Sequence, residues 1–179
     1  MLTQQLTDAA AEVARLLAQR RMKLALAESC TAGLVAAALG GEPGISQWFC
    51  GSAVVYRTET KIAWLEVNPR GFSTPEPDSV GPQTSRGLVT ALLAKTPEAD
   101  LAAAVTGHLG PNAPLGLDGR CFGSVQTRRS PSREPRSVEW NFDAASDDPI
   151  QVRRHRQQQA AVRLLELVEE FLNDLRSEN

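Results

Sequence analysis

Residues 23–39, KLALAESCTAGLVAAAL, constrain the fold more than any other stretch of this 179-residue chain. Residues 23–27 form a short apolar strand candidate. Residues 31–39 read as a buried helix rich in alanine and leucine, closed by Gly40-Gly41. Between the two stand four polar or reactive side chains: Glu28, Ser29, Cys30 and Thr31. A strand that hands over to a helix across so few residues commits the chain to a layout in which strands and helices alternate. The first N–H groups of the helix lack intrahelical partners and the helix dipole is positive there. The junction therefore suits a cap, an anion pocket or a nucleophile.

The rest of the chain continues the alternation. Residues 3–20 carry Leu6, Ala9, Ala10, Val13, Leu16 and Leu17 at helical spacing. Pro43-Gly44 marks a turn, residues 48–56 are β-like, and 58–65 form a short helix. Residues 68–81, with three prolines and two glycines, read as a loop. A helix at 83–95 and a strand at 100–106 follow. Residues 107–120 form a Gly/Pro-rich loop, and loops of such length in a compact domain are usually functional. Residues 121–128 and 137–142 read as a β-hairpin joined by an arginine-rich turn. Asp147-Asp148-Pro149 then caps a helix that runs to about residue 175. This order predicts an α/β fold, a three-layer α/β/α sandwich with a mixed central sheet, with residues 1–179 as one domain.

Composition narrows the function. Hydrophobic residues make up 42% and charged residues 22%, and the net charge is -2. That balance is globular and offers no basic field for a nucleic acid. Arginines do cluster at 128–136 (RRSPSREPR) and 153–156 (RRHR), enough to hold a small anion. Cys30, Cys50 and Cys121 form no CxxC pair and predict reduced thiols in a cytoplasmic protein. With only His108 and His155 as histidines, no zinc site is expected. The N-terminal residues lack the pattern of a signal peptide, and no run approaches the roughly 20 apolar residues that cross a bilayer.

The chemistry concentrates on Ser29. Serine is a favoured helix N-cap, and capping is its commonest use at such a junction. The functional alternative is a nucleophile whose oxyanion the free N–H groups stabilise. A serine needs a base to attack an amide. Of three lysines, Lys61 follows a strand expected beside the first one; brought close to Ser29 and desolvated, it can take the proton. Its alternative is an ordinary surface lysine. Glu28 is either an acceptor that orients the site or a carboxylate that caps the next helix. Cys30 reads as a packing residue.

Three blocks taken together, AESCTAGLVAAAL (27–39), GSAVVYRTETKIAWLEV (51–67) and AAAVTGHLGP (102–111), resemble the nicotinamide-nucleotide amidohydrolase family, also known as the C-terminal domain of the competence/damage-inducible protein CinA. FGSV (122–125) and the arginines opening the last helix fit as well. The resemblance spans about residues 5–175. It implies hydrolysis of the carboxamide of nicotinamide mononucleotide to nicotinic acid mononucleotide and ammonia, by a serine-lysine mechanism without metal or cofactor. Carried over by motif, Ser29 is the nucleophile, Lys61 the base, and Tyr56 assists proton transfer or orients Lys61. Cys30 and Thr31 lie near the oxyanion or phosphate through their backbone N–H groups. Thr106 and Gly107 line the opposite wall. Glu28 and His108 join the binding set, and Arg153 or Arg156 meets the phosphate. The partners implied are a small-molecule nucleotide and further copies of the chain, in a homodimer or higher homo-oligomer, with no nucleic acid and no membrane.

Departures from the family pattern gather in one loop. TGHLGP replaces the usual TGIAGP, Asn112 replaces an acidic residue, and APLGLDGRC (113–121) replaces the usual glycine- and Lys-Pro-bearing stretch. They motivate the alternative of a catalytically silent nucleotide-binding homologue. A purely structural interaction domain would leave the clustered polar junction without a purpose. No segment resembles the separate N-terminal domain of longer fused members, so that domain's activity is not expected here.

Overall fold

The computed structural model describes residues 3–67, 80–111, 113–129 and 134–175. The predicted loop at 68–81 thus lies mostly outside the described residues, as do Asn112 and part of the arginine-rich turn. Five strands form one sheet in the order β2-β1-β3-β4-β5: β1 (Leu24–Glu28), β2 (Phe49–Val54), β3 (Leu101–Gly107), β4 (Arg120–Thr127) and β5 (Arg136–Asn141). Strand β1 runs parallel to both β2 and β3, whereas β4 and β5 add as an antiparallel hairpin. The sheet is mixed and helices cover both faces, as the sequence pattern predicts.

Side-chain alternation along the strands divides the core. Leu24 and Leu26 of β1, with Leu101, Ala103 and Val105 of β3, face α1 (Gln4–Arg20), α2 (Leu34–Gly40) and α5 (Pro149–Asp174). Ala25 and Ala27, with Ala102 and Ala104, face the layer of α3 (Thr58–Leu65) and α4 (Pro82–Lys95). On the first face Leu6, Ala10, Val13, Leu16 and Leu17 of α1 are completely buried, each large aliphatic contributing about 2 kcal/mol. On the second face the alanines bring α4 close to the sheet. The hairpin has its own tight contact: a Cβ on Gly123 would lie 2.2 Å from the Trp140 ring.

Element ends follow their capping chemistry. Thr3 accepts from the Leu6 N–H to open α1. Asp148 accepts from the Ile150 N–H at 2.8 Å ahead of Pro149 at the start of α5. One expectation needs correcting. The helix predicted at 31–39 begins at Leu34, because Ala32 and Gly33 both take positive φ, 54° and 95°, and hold residues 30–33 in a turn. Among the described residues no helix is long and apolar enough to cross a membrane. Of the aromatics, Trp48 and Phe49 pack partly against the first core, while Trp64 is 58% exposed.

Candidate active site

The chain leaves the sheet at the carboxyl ends of β1 and β3, the place where open α/β sheets receive ligands. Pairing continues one step past β1: the Ser29 N–H donates to the Val105 carbonyl, and the Val55 N–H donates to the Glu28 carbonyl. Strand alternation then points Glu28 and Ser29 to opposite faces.

Glu28 turns toward α2 and is completely buried. Its carboxylate accepts from the N–H groups of Gly33, Val35 and Ala36 at 3.0, 3.1 and 2.9 Å. It also accepts from the hydroxyls of Thr31 at 2.8 Å and Ser52 at 3.0 Å. Glu28 is therefore the cap of α2, a role that local pattern assigns first to Ser29. The helix's N–H groups are taken up by this carboxylate. The N–H groups of Cys30 and Thr31, in the turn ahead of it, have no backbone acceptor among the described residues.

Ser29 turns to the other face, where α3 delivers Lys61. That lysine is completely buried, and Nζ donates to Ser29 Oγ and to the Tyr56 carbonyl, both at 3.3 Å. Ser29 Oγ lies 3.5 Å from the same carbonyl. Helix geometry explains the approach: Lys61 sits in the second turn of α3, whose start is fixed by reciprocal bonds between Arg57 and Thr60. Tyr56 enters this network through its backbone. Its side chain is half exposed, and its hydroxyl accepts from Arg153 of α5.

Ser29 and Cys30 open onto a cavity of about 220 Å³, lined further by Tyr56, Val80, Gly107, His108, Leu109, Gly110, Pro111, Ala113 and Arg153. Arg153 spans its edge, donating also to the Gly110 carbonyl at 2.6 Å. The expected residues thus separate into two groups. Ser29, Cys30, Tyr56, Gly107, His108 and Arg153 line the cavity, with Lys61 directly behind Ser29. Glu28, Thr31, Thr106 and Arg156 are buried away from it. Arg156 donates to both carboxylate oxygens of Asp118 at 2.9 Å, and the guanidinium holds the Asp118 carboxyl below the usual carboxylate range.

Cys30 closes the inner wall. Its Sγ lies 3.8 Å from Cys121 Sγ, and burial pushes the Cys121 thiol well up. All three cysteines are free. Among the described residues no cluster of His, Cys, Asp or Glu is suited to a metal. Sequence reasoning overlooked Gln157, which donates to the Cys30 carbonyl at 3.0 Å, and Ser52, which supports Glu28. Gln157 lies four residues after Arg153, on the same helix face, and that spacing is a usable signal. Asp118 offers no such signal, being 38 residues from its partner.

Residues 6–169 match the CinA C-terminal domain family. A CinA-like protein from Mycobacterium avium is 39% identical over 113 residues, covering 63% of this chain and 24% of the relative. A CinA-like protein from Desulfotalea psychrophila is 38% identical over 99 residues, covering 55% and 23%. The chain spans about a quarter of the length of these curated relatives. Two solved structures match almost end to end. Competence damage-inducible protein A (ComA) from Klebsiella pneumoniae superposes with a TM-score of 0.81 at 26% identity, over 94% of this chain and 97% of that one. The competence/damage inducible protein CihA from Agrobacterium tumefaciens has a TM-score of 0.83 at 22% identity, over 97% and 98%, a likeness of fold. The chain belongs to the CinA C-terminal domain family.

Proposed function

We propose, from that membership, that this protein is an amidohydrolase that converts nicotinamide mononucleotide to nicotinic acid mononucleotide and ammonia. The observation that carries the reading is the contact between completely buried Lys61 and the Ser29 hydroxyl at the wall of the cavity. A separation of 3.3 Å is at the outer edge of direct proton transfer, and ligand-free sites are commonly looser than working complexes.

In the proposed cycle Lys61 acts as the base in its neutral amine form. Lys61 takes the Ser29 proton while Oγ attacks the carboxamide carbon. The N–H group of Cys30, at the cavity wall, is the candidate donor to the oxyanion. Lys61 returns its proton to the leaving nitrogen, ammonia departs, and an acyl-serine remains. Water, deprotonated by the same amine, then attacks the acyl carbon, and Lys61 returns that proton to Ser29 Oγ as the acid is released. Arg153 is the cation for the nucleotide phosphate, since its guanidinium lies at the cavity edge and suits bidentate contacts. Arg156, committed to Asp118, is not free for that task. Homo-oligomer formation remains part of this proposal, on the family resemblance alone.

The test is the incubation of purified protein with nicotinamide mononucleotide. We expect equal amounts of ammonia and nicotinic acid mononucleotide. Arg153→Gln should raise KM for the nucleotide about tenfold and leave hydrolysis of the phosphate-free nucleoside unchanged. Absence of product would reject the proposal, and nucleotide binding without product would favour the catalytically silent homologue.

A further inference from the structure

The RRHR segment contains two arginines with different work. Arg153 reaches the cavity, while Arg156, 3% exposed, turns beneath the loop between β3 and β4. Its guanidinium makes four contacts there. Two are the bonds to the Asp118 carboxylate at 2.9 Å; the others run to the Leu109 carbonyl at 3.5 Å and the Asp143 carbonyl at 3.4 Å. The loop is shaped around this ion pair. A Cβ on Gly110 would lie 2.5 Å from Asp118 Oδ1 and 2.8 Å from Arg156 Nη1. The same loop supplies residues 107–111 and Ala113 to the cavity wall.

We infer that Arg156 is a positioning residue of the cavity. Its forked pair with Asp118 fixes the loop against α5 and so sets the distance between Ser29 and the wall that faces it. A point charge cannot replace the fork, because the guanidinium serves one carboxylate and two carbonyls in different directions at once. The departing sequence 113–121 thus contains its own anchor, Asp118, tied to a helix that also carries the ligand-facing arginine.

The kinetic arm of the test rests on the amidohydrolase reading, and the structural arm does not. Hydrogen exchange and steady-state kinetics are to be measured on the full chain, Arg156→Lys and Asp118→Asn. The amides of His108, Gly119 and Arg120 donate to carbonyls within or beside the loop. They should exchange about tenfold faster in Arg156→Lys, with β1 and α1 unchanged. KM for nicotinamide mononucleotide should rise about tenfold while kcat changes little, with Asp118→Asn intermediate. Unchanged loop exchange in both variants, or acceleration of all amides together, would overturn the inference. A parent protein that hydrolyses nothing would reject the activity, and the exchange data would still decide the anchor. Should Arg156→Lys fail to fold, Asp118→Asn changes a half-exposed side chain and provides both readouts.

Discussion

The ends of β1 and β3 lie side by side in the sheet, yet they solve the same problem in opposite ways. After β1 the start of the next helix is capped from close by in the chain. Glu28 reaches forward five to eight residues to the N–H groups of Gly33, Val35 and Ala36. After β3 the loop is held from a distance, by Arg153 and Arg156 of α5. The first end is capped by its own carboxylate and presents Ser29; the second is tethered and forms the cavity wall. Because the two ends are held by different contacts, the wall can vary in sequence without disturbing Ser29 and Lys61.

The comparison can be broken most forcefully at Glu28. Glu28→Ala removes one carboxylate that serves three N–H groups and two hydroxyls, all buried or partly buried. We expect a loss of roughly 3 kcal/mol, about 10 °C in Tm for a chain of this size. Thermal melting checks it, and a loss below about 1 kcal/mol would mean that α2 is held by packing.

Gly119→Ala probes the second end. Gly119 has φ of 81°, and a Cβ there would stand 2.3 Å from the Phe142 carbonyl. The cost should be about 2 kcal/mol in chemical denaturation, with faster exchange confined to the loop.

The smallest effect concerns pH. Asp118 titrates below its ordinary 3.8 in the folded chain, so its contribution is present above that value and is lost as the pH falls through the lowered one. With half of the Asp118 side chain in water the contribution is modest. The Tm difference between the parent and Asp118→Asn should therefore shrink at acidic pH below the usual carboxylate range, and a gap that persists there would contradict the ion-pair account.

These outcomes also mark what the sequence could reveal. The alternation of strands and helices was legible because periodicity and caps are local: the helix at 58–65 and the cap Asp148-Pro149 match the structure to the residue. The choice between Glu28 and Ser29 as the cap was not. Both residue types cap helices; strand alternation puts Glu28 on the α2 face, and the turn made by Ala32 and Gly33 brings the helix's N–H groups to it. The Ser29–Lys61 approach was legible only through the strand expected beside β1 and the family resemblance, since 32 residues of chain separate the two. Arg156 was grouped with Arg153 as a phosphate contact because composition cannot tell an inward guanidinium from an outward one. Its partner Asp118 lies in the part of the loop that departs from the family, where no motif points to it.

The most direct test of the central claim is ammonia release from nicotinamide mononucleotide by the parent protein, Ser29→Ala and Lys61→Ala, each confirmed as folded. The serine-lysine account predicts release by the parent and a loss of at least about 10³-fold in both variants. Release that survives Ser29→Ala would show that the nucleophile lies elsewhere and would contradict the account.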